Sequence, residues 1–380
     1  MTDALTSASS VREWLADPVG GPLLRDALAA MGSDPGRIGP IAGYPLAEFA
    51  GFSRGAMPDD AVADLVRAAN GGVLVAPPDD GPRDGVRTLD DIQMRDPFLL
   101  VDGDTHWLFG TTDRMIWFGP GTGFDAYSSA DLESWHGPVA AFRPPTGFWA
   151  TTKFWAPEVH AHAGCWFLFA TFTRADGHMG TAALVSDAPE GPYEPWSDGP
   201  LTPERWQCLD GTLHVDDAGD PWLVFCHEWT QVHDGEVWAQ RLAPDLSRAE
   251  GVPVFLFSAS EATWARPLDV RQTGETRYPA YVTDGPFLVR LDGGHLLMLW
   301  SSFGEAGYAM GVAHSASGHV TGPWTQEDEP LWAADGGHGM IARLPAGDLV
   351  LTLHQPNSSP DERPVLRRLR VEGDTVRLAD

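Results

Sequence analysis

A short motif that recurs five times constrains the fold of this chain most. In each copy a polar residue comes just ahead of an apolar run, a turn and a second apolar run rich in Trp, Leu and Phe, which is the pattern of a β-hairpin. The polar residue is acidic in four copies and histidine in the fifth: Asp96, Glu158, Asp210, Asp284 and His338. These positions lie about 50 to 75 residues apart, close to the length of one propeller blade. The spacing predicts five blades that bring five polar side chains to one axis, and it indicates an active site there.

Composition and charge narrow the class of ligand. The chain has 380 residues, 43% of them hydrophobic, with 16 Trp and 17 Phe, which is enough to build a core. Its formal net charge of −28 argues against nucleic acid as a partner, because nucleic-acid surfaces consist of clustered Lys and Arg. No stretch approaches the roughly 18 apolar residues of a membrane span, so no membrane partner is expected. A neutral substrate such as a carbohydrate fits better.

The N-terminus and the cysteines give two further expectations. Residues 1–11 show neither a basic leader nor the apolar core of a signal peptide, so we expect a cytoplasmic protein. Cys165, Cys208 and Cys226 lie in or beside apolar strands without CxxC spacing. This pattern favours buried thiols over a disulfide framework or a zinc site.

The chain divides into two regions of different pattern. Helical spacing and helix caps dominate residues 1–85, which include a linker rich in Pro and Asp. Period-two patterning with Gly, Pro and Asp turns dominates residues 86–380. We therefore predict a small helical N-terminal unit, followed by an all-β domain that is a five-bladed β-propeller. The helical unit is expected to carry no catalytic side chain and to pack against the propeller or to form a homo-oligomer through its helices.

Taken singly, the acidic motifs are not specific. Asp96 precedes Pro97, which restricts it to extended backbone, but an Asp-Pro pair also commonly starts a turn. Asp210 precedes a glycine and is equally typical of an Asx-turn. Asp284 precedes a Gly-Pro pair. Their value lies in their order and spacing.

Together the motifs resemble those of glycoside hydrolase family 43, the five-bladed β-propeller glycosidases of the arabinofuranosidase and xylosidase type. The matching stretches cover nearly the whole β region: Arg95-Asp96-Pro97-Phe98, Phe154-Trp155-Ala156-Pro157-Glu158-Val159, Leu209-Asp210-Gly211-Thr212-Leu213 and Asp284-Gly285-Pro286. The resemblance implies an inverting mechanism with Asp96 as general base, Asp210 as the neighbour that raises the pKa of the acid, and Asp284 as general acid. The family usually has Glu at that last position, so Glu158 and Glu228 stay open as alternative proton donors.

The resemblance also implies ligands for the site. It places His338 at the propeller axis beside a cation, where Ca²⁺ fits better than Zn²⁺ because the neighbouring side chains are oxygen donors. A buried histidine bonded to backbone is the alternative, and no cofactor is required. Substrate contacts are expected from aromatic residues and from polar residues at the ends of hairpins: Trp117, Phe118, Trp155, Glu158, His227, Glu228 and Trp229.

These expectations combine into one function and its alternatives. We predict an inverting glycosidase that releases a pentofuranosyl or pentosyl unit from short oligosaccharides, with α-L-arabinofuranosidase activity favoured. A β-xylosidase or a galactofuranosidase-type relative is the alternative within the enzymes. The shorter acid at Asp284 also leaves open a non-catalytic, carbohydrate-binding propeller.

Overall fold

The computed structural model describes residues 4–33, 38–53, 57–77, 85–117, 119–268 and 278–379. They form two compact units, of which the first comprises Met1–Asp84 with Ser358–Asp361 and the second Gly85–Asn357 with Glu362–Asp380. The helices of the described ranges are too short or too polar to cross a membrane.

The first unit is helical and has its own core. Its helices are α1 (Val11–Ala16), α2 (Gly20–Ala30), α3 (Leu46–Phe52) and α4 (Asp59–Ala69), with a 3₁₀ turn over Gly39–Ile41. Ser10 caps α1, because its hydroxyl accepts the Glu13 N–H at 3.1 Å while the Glu13 carboxylate accepts the Ser10 N–H at 2.6 Å. Apolar side chains that include Trp14, Leu24 and Val66 are fully buried in one cluster.

The second unit is a five-bladed β-propeller, as predicted from the repeated hairpins. Its described residues form five antiparallel sheets that follow one another along the chain.

Blade 1 contains β1 (Val86–Arg87), β2 (Arg95–Asp102), β3 (Thr105–Thr111), β4 (Phe124–Ser129) and β5 (Trp135–Phe142). Blade 2 contains β6 (Thr152–His162), β7 (Cys165–Thr173), β8 (Met179–Ser186) and β9 (Glu194–Pro195). Blade 3 contains β10 (Cys208–Val215), β11 (Pro221–His227), β12 (Glu236–Leu242) and β13 (Ala249–Ser258), with the short helix α5 (Trp229–Val232) after β11. Blade 4 contains β14 (Asp284–Arg290), β15 (Leu296–Gly304), β16 (Gly307–Ser315) and β17 (Trp324–Gln326). Blade 5 contains β18 (Gly337–Arg343), β19 (Leu349–Gln355), β20 (Arg363–Glu372) and β21 (Thr375–Leu378).

The first long strand of each blade lies at the centre of the propeller. These five inner strands, β2, β6, β10, β14 and β18, contact one another in a closed ring. The ring closes where β18 meets β2, and the Thr352 hydroxyl of β19 donates to the Pro97 carbonyl at 2.8 Å across that junction. Apolar residues of blade 5, including Met340 and Val350, are buried in the same cluster as the core of blade 1. The propeller therefore brings residues from both ends of its sequence to one axis.

Candidate active site

Every inner strand carries a β-bulge near its start. The ladder with the second strand shifts register there, and the bulge begins at an equivalent residue in each blade: Asp96, Ala156, Asp210, Gly285 and His338. The φ angles of these five bulge residues lie between 48 and 56°, so the prediction that Pro97 holds Asp96 in extended backbone is wrong. Such angles are uncommon for residues other than glycine, and bulges with them often re-aim a side chain beside an active site.

The backbone N–H of each bulge residue is bonded to the preceding blade. Four of them donate to a residue of the second strand: Ala156 to Thr111 Oγ1 at 2.8 Å, Asp210 to Thr171 Oγ1 at 2.8 Å, His338 to Ser301 Oγ at 2.8 Å and Asp96 to His354 Nδ1 at 3.2 Å. The fifth acceptor position holds Cys226, a weak acceptor, and Gly285 N–H donates to Asp210 Oδ2 at 3.1 Å. This acceptor ring fixes the bulges, and with them the side chains that face the axis.

The positions of the bulges show that the five polar residues predicted as equivalent are not all equivalent in the fold. Asp96, Asp210 and His338 are bulge residues, but blades 2 and 4 place Ala156 and Gly285 at this position. Glu158 follows the bulge in its strand, and Asp284 precedes the bulge residue of blade 4. The five polar residues are therefore neighbours at one end of the axis without being equivalent in the fold. Spacing in sequence does not resolve a shift of one or two residues.

Asp96 is surrounded by donors and positive charge. The Thr111 hydroxyl donates to its Oδ2 at 2.6 Å, and His338 Nδ1 lies 3.2 Å from its Oδ1. Burial alone would raise its pKa, but the charges of His338 and Arg95 outweigh burial and hold the pKa of Asp96 below its ordinary value. Asp96 is therefore an ionised carboxylate, able to accept a proton.

His354 is neutral and holds the backbone of Asp96 in place. Burial and then the charge of Arg95 lower the pKa of His354 to about 3. Its Nδ1 accepts the Asp96 N–H, and its Nε2 lies 3.3 Å from Asn357 Oδ1, which fixes the proton on Nε2. His354 therefore positions the backbone of Asp96 without adding charge.

Asp210 and Asp284 lie in an environment that favours protonation. Burial, reinforced by the charges of Asp284 and Asp96, raises the pKa of Asp210, although His338 partly offsets the rise. Burial also raises the pKa of Asp284, and His338 and the Tyr308 hydroxyl, which donates to Asp284 Oδ2 at 2.8 Å, partly offset it. Asp210 is 5% exposed whereas Asp284 is half-buried, so Asp284 is the more accessible of the two.

His338 links the carboxylates at the axis. Its Nδ1 lies 3.2 Å from Asp96 Oδ1 and 3.7 Å from Asp210 Oδ2, so the two carboxylates share one imidazole. Burial would lower its pKa, but the charges of Asp96, Asp210 and Asp284 raise the pKa of His338 above its ordinary value. A protonated imidazole donates hydrogen bonds to carboxylates and is a poor metal ligand.

The donors at the axis differ from those of a calcium site. Ca²⁺ takes six to eight oxygen ligands, and no group of three or more His, Cys, Asp or Glu spaced for a metal occurs in the ranges that the structure describes. A Ca²⁺ ion bound directly by side chains does not fit this donor set. A cation held at the axis through water stays a prediction.

The two alternative acids differ in their surroundings. Glu158 is buried at 8% exposure, and its Oε2 lies 3.0 Å from His160 Nε2. Glu228 is half-buried at the end of β11, where its Oε2 accepts the Thr230 N–H at 3.2 Å. Burial, followed by the charge of Asp284, raises the pKa of Glu228 to about 8. The surroundings of Glu228 therefore favour its protonated form at neutral pH. The carboxylate of Glu158 is instead engaged with the imidazole of His160.

A row of two tryptophans and two cations borders the site. The rings of Trp117 and Trp155 meet edge to face at a centroid distance of 5.4 Å. The Arg95 guanidinium lies 5.5 Å from the Trp117 ring, and the Lys153 ammonium lies 5.0 Å from the Trp155 ring. Both tryptophans are half-buried, so they offer surface for a sugar ring to stack on.

Three other residues, His227, Trp229 and Phe118, were predicted to contact the substrate. His227 stacks on Trp206 at 4.4 Å, and its two ring nitrogens lie 3.1 Å from Glu236 Oε2 and 2.9 Å from Gln231 Oε1. Its hydrogen-bonding groups are thus used within the protein, and a role of His227 in substrate binding stays a prediction. Trp229 begins α5 and is half-buried, and its role stays a prediction. Phe118 lies outside the described residues.

Sequence reasoning missed the supporting residues of the site. Tyr308 reaches Asp284 from β16, and Arg95 forms a buried ion pair at 2.9 Å with Glu362. Thr111 both accepts the Ala156 N–H and donates to Asp96. Apart from the position of Arg95 beside Asp96, no motif marks these residues, because their contacts join strands that are distant in sequence.

Comparisons with known proteins agree with this architecture. The family model described as Glycosyl hydrolases family 43 matches residues 91–375. An endo-arabinase from Bacteroides thetaiotaomicron has a solved structure with 42% identity and a TM-score of 0.68, and the match covers 75% of this chain and 97% of that one. An extracellular exo-α-(1→5)-L-arabinofuranosidase of Cellvibrio japonicus is 27% identical over 61% of this chain. A β-D-galactofuranosidase of Aspergillus niger is 30% identical over 34% of it. The matches span 66% and 41% of those two relatives' own lengths.

Proposed function

The chain belongs to glycosyl hydrolases family 43, and from this premise we propose that it hydrolyses α-L-arabinofuranosyl linkages in short oligosaccharides with inversion at the anomeric carbon. One observation carries the proposal. Three aspartates meet around one imidazole, and their surroundings lower the pKa of Asp96 while they raise the pKa values of Asp210 and Asp284. Carboxyl groups whose pKa values are driven apart are the acid and the base of a glycosidase. A propeller that only bound carbohydrate would not need this division.

Asp96 is the proposed general base. In the inverting reaction a carboxylate removes a proton from the water that attacks the anomeric carbon. The Thr111 hydroxyl and the His338 imidazole fix both carboxylate oxygens, and the positive charge nearby keeps them ionised. His338 also offsets the negative charges of Asp210 and Asp284, which allows the three carboxyl groups to share one site.

Asp284 is the proposed general acid. The donor must hold its proton at the working pH and must reach the leaving oxygen, and Asp284 combines a raised pKa with partial exposure. Asp210 also has a raised pKa, but it is buried and its Oδ2 is occupied by the Gly285 N–H. The charge of Asp210 is therefore suited to modulating the acid rather than to donating the proton.

A panel of 4-nitrophenyl glycosides tests the substrate class. We expect hydrolysis of the α-L-arabinofuranoside to exceed that of the β-D-xyloside and the β-D-galactofuranoside, because one relative is named an arabinofuranosidase and another an endo-arabinase. Preference for either of the other two glycosides would reassign the sugar. Lack of turnover on every glycoside and on arabino-oligosaccharides, by protein shown to be folded, would reject the proposal.

The stereochemistry has its own test. Proton NMR during the first minutes of hydrolysis should show β-L-arabinofuranose as the first product, because an inverting enzyme reverses the α configuration. Accumulation of the α anomer first would mean a covalent intermediate and would contradict the role given to Asp96.

Internal cleavage of arabinan is the second candidate activity. The 42% identity to an endo-arabinase favours it. Debranched α-1,5-arabinan separates the two: an exo-acting enzyme releases arabinose while the viscosity falls slowly, whereas an endo-acting enzyme lowers the viscosity early and yields oligosaccharides.

A further inference from the structure

Cys226 differs from the residues at the equivalent position of the other blades. Each second strand pairs one residue with the residue that precedes the bulge, and the pairing residues of the other four blades are Thr111, Thr171, Ser301 and His354. Each of those four accepts the bulge N–H of the next blade around the ring. Cys226 holds this position in blade 3, paired with Leu209, and its thiol is a weak acceptor. The junction of blades 3 and 4 is therefore built around a different acceptor.

The Asp210 carboxyl group replaces the acceptor that the thiol does not provide. Its Oδ2 accepts the Gly285 N–H at 3.1 Å, so the side chain of one bulge residue holds the bulge of the next blade. Gly285 directly follows Asp284, the proposed acid. This hydrogen bond therefore joins the Asp210 side chain to the backbone that carries Asp284.

Two positions can supply an acceptor for the Gly285 N–H. Cys226, Asp210 and Gly285 are all buried, and a buried N–H without an acceptor is costly. Ser301 shows what a hydroxyl does at the position of Cys226, because its Oγ accepts the His338 N–H at 2.8 Å. A hydroxyl at position 226 would therefore compete with Asp210 for the Gly285 N–H, whereas the thiol leaves this donor to Asp210.

We propose that Cys226 is a positioning residue of the site, because its thiol does not accept the Gly285 N–H and so leaves this donor to the Asp210 side chain. The weakness of the thiol as an acceptor matters here, not its nucleophilic or redox chemistry. The kinetic consequence rests on the proposed glycosidase function, because it concerns the acid at Asp284. The exchange of hydrogen bonds is a property of the folded protein and is measurable without turnover.

A double-mutant cycle tests the exchange by urea unfolding, followed by tryptophan fluorescence. Asp210→Ala removes the acceptor of the Gly285 N–H, and Cys226→Ser supplies a hydroxyl in place of the thiol. Cys226→Ser should raise the unfolding midpoint of Asp210→Ala by roughly 0.3 to 1 M urea more than it raises that of the wild-type protein, because only Asp210→Ala leaves the N–H without an acceptor. Equal effects in the two backgrounds would overturn the proposal.

Two control variants separate the acceptor from the size and charge of the side chains. Cys226→Ala removes the thiol without supplying an acceptor, so it should not rescue Asp210→Ala. Asp210→Asn keeps a side-chain carbonyl that accepts the N–H, so Cys226→Ser should bring it no comparable gain. Equal rescue by alanine would assign the effect to packing, and an equal gain in Asp210→Asn would assign it to the lost negative charge. Either result would overturn the proposal.

The pH profile of kcat/KM gives a readout that packing alone would not move. Burial raises the pKa of Asp210, and the Gly285 N–H partly offsets the rise. Loss of this donor to a serine should raise the pKa of Asp210 further, so that Asp210 competes more strongly with Asp284 for a proton. On arabinobiose the alkaline limb of Cys226→Ser should therefore move to lower pH by about one unit or less, whereas that of Cys226→Ala should stay in place. Asp96 and His338, the other titratable groups whose charges act on Asp210, are unchanged in both variants.

The outcomes of the two experiments are distinguishable. An alkaline limb that Cys226→Ser leaves in place, in protein that hydrolyses arabinobiose, would overturn the positioning role. Failure of the wild-type protein to hydrolyse any arabinofuranoside would instead reject the proposed function. The urea cycle would then still decide whether Cys226 leaves the Gly285 N–H to Asp210.

Discussion

At the scale of single residues, the surroundings of each carboxyl group separate the proposed proton acceptor from the proposed proton donor. A hydroxyl, an imidazole and a guanidinium near Asp96 lower its pKa, whereas burial and the charge of a neighbouring carboxylate raise the pKa of Asp284. Asp284 is also shorter by one methylene than the glutamate that the resemblance implies at this position. Tyr308 reaches that shorter side chain with its hydroxyl, at 2.8 Å. The identity of the acid is therefore a question that substitutions at single residues can settle.

The first prediction separates the acid from the base by leaving group. Asp284→Asn should reduce hydrolysis of arabinobiose by about 10²- to 10⁴-fold but spare much of the activity on 4-nitrophenyl arabinofuranoside, because a nitrophenolate departs without protonation. Asp96→Asn should impair both substrates, since no water is activated. Steady-state kcat values on the two substrates measure this. If Glu228→Gln shows the leaving-group dependence and Asp284→Asn does not, Glu228 is the donor.

The second prediction concerns the pH profile of kcat/KM. The Tyr308 hydroxyl donates to the Asp284 carboxylate and so lowers the pKa of that group. Tyr308→Phe removes this stabilisation of the ionised form, so the pKa of Asp284 rises and the acid keeps its proton to higher pH. The alkaline limb should move upward by about one pH unit or less, the equivalent of one hydrogen bond.

A matched substitution serves as control for the pH profile. The Tyr193 hydroxyl donates to the Pro189 carbonyl at 2.7 Å, away from the three aspartates. Tyr193→Phe should leave both limbs in place. A downward shift of the alkaline limb in Tyr308→Phe would mean that Asp284 is not the group that titrates there.

The sequence predicted the carboxylates of the site but not the groups that tune them. Asp96, Asp210 and Asp284 stand in recognisable motifs, and they meet because every blade returns its inner strand to the axis. Tyr308 and Glu362 stand in no motif, and their contacts depend on how separate strands pack. The direction of a pKa shift follows from such contacts, so it becomes visible only in three dimensions.

At the scale of elements, the bulge and the acceptor on the preceding blade form one unit. A bulge leaves a backbone N–H without its ladder partner, and a buried, unbonded N–H is costly. Hydroxyls of Thr111, Thr171 and Ser301 meet this need in three of the five junctions. A residue on the preceding blade thus helps to determine where a side chain at the axis points.

The third prediction tests this unit at the junction of blades 2 and 3. Thr171→Val removes the acceptor of the Asp210 N–H and should lower the free energy of unfolding by about 1 to 3 kcal/mol. Thr171→Ser keeps the hydroxyl and should recover most of that loss. Urea unfolding followed by tryptophan fluorescence measures both.

The same strand offers a matched control. Thr173 is also buried in β7, and its hydroxyl finds no hydrogen-bond partner among the described residues. Thr173→Val has the same change in shape but removes an unsatisfied hydroxyl, so it should be neutral or stabilising. Equal destabilisation by Thr171→Val and Thr173→Val would show that packing, not the acceptor, matters at position 171.

At the scale of the whole molecule, the chain contains two units with separate cores. Trp14 is fully buried in the helical unit, and Trp135 is fully buried in blade 1. The repeated hairpins predicted the five blades because hairpin signals are local. They did not predict β1, which is two residues long and pairs with Trp135 and His136 far along the chain. A pairing of that kind leaves no periodic signal.

The fourth prediction uses the two tryptophans. Each truncation to alanine should cost about 3 to 5 kcal/mol in its own unit. Trp14→Ala should shift the loss of helical circular dichroism at 222 nm to lower urea and leave kcat unchanged below that transition, because the proposed site lies in the propeller. Trp135→Ala should shift the loss of activity instead. A single transition that both variants move equally would show that the units unfold as one.

The ring of bulges also bears on how such a propeller can diverge. Four of the five bulges are held by their own backbone and by an acceptor on the second strand of the preceding blade, and the fifth is held by the Asp210 side chain. Aspartate, alanine, glycine and histidine accordingly occupy the same position in different blades of this one chain. Substitution of a bulge residue other than Asp210 can therefore change the chemistry at the axis while the bulges persist. In repeated blades of this kind the bulge position tolerates different side chains. Ala156 occupies that position in blade 2, so a substitution there could introduce a new reactive group at the axis.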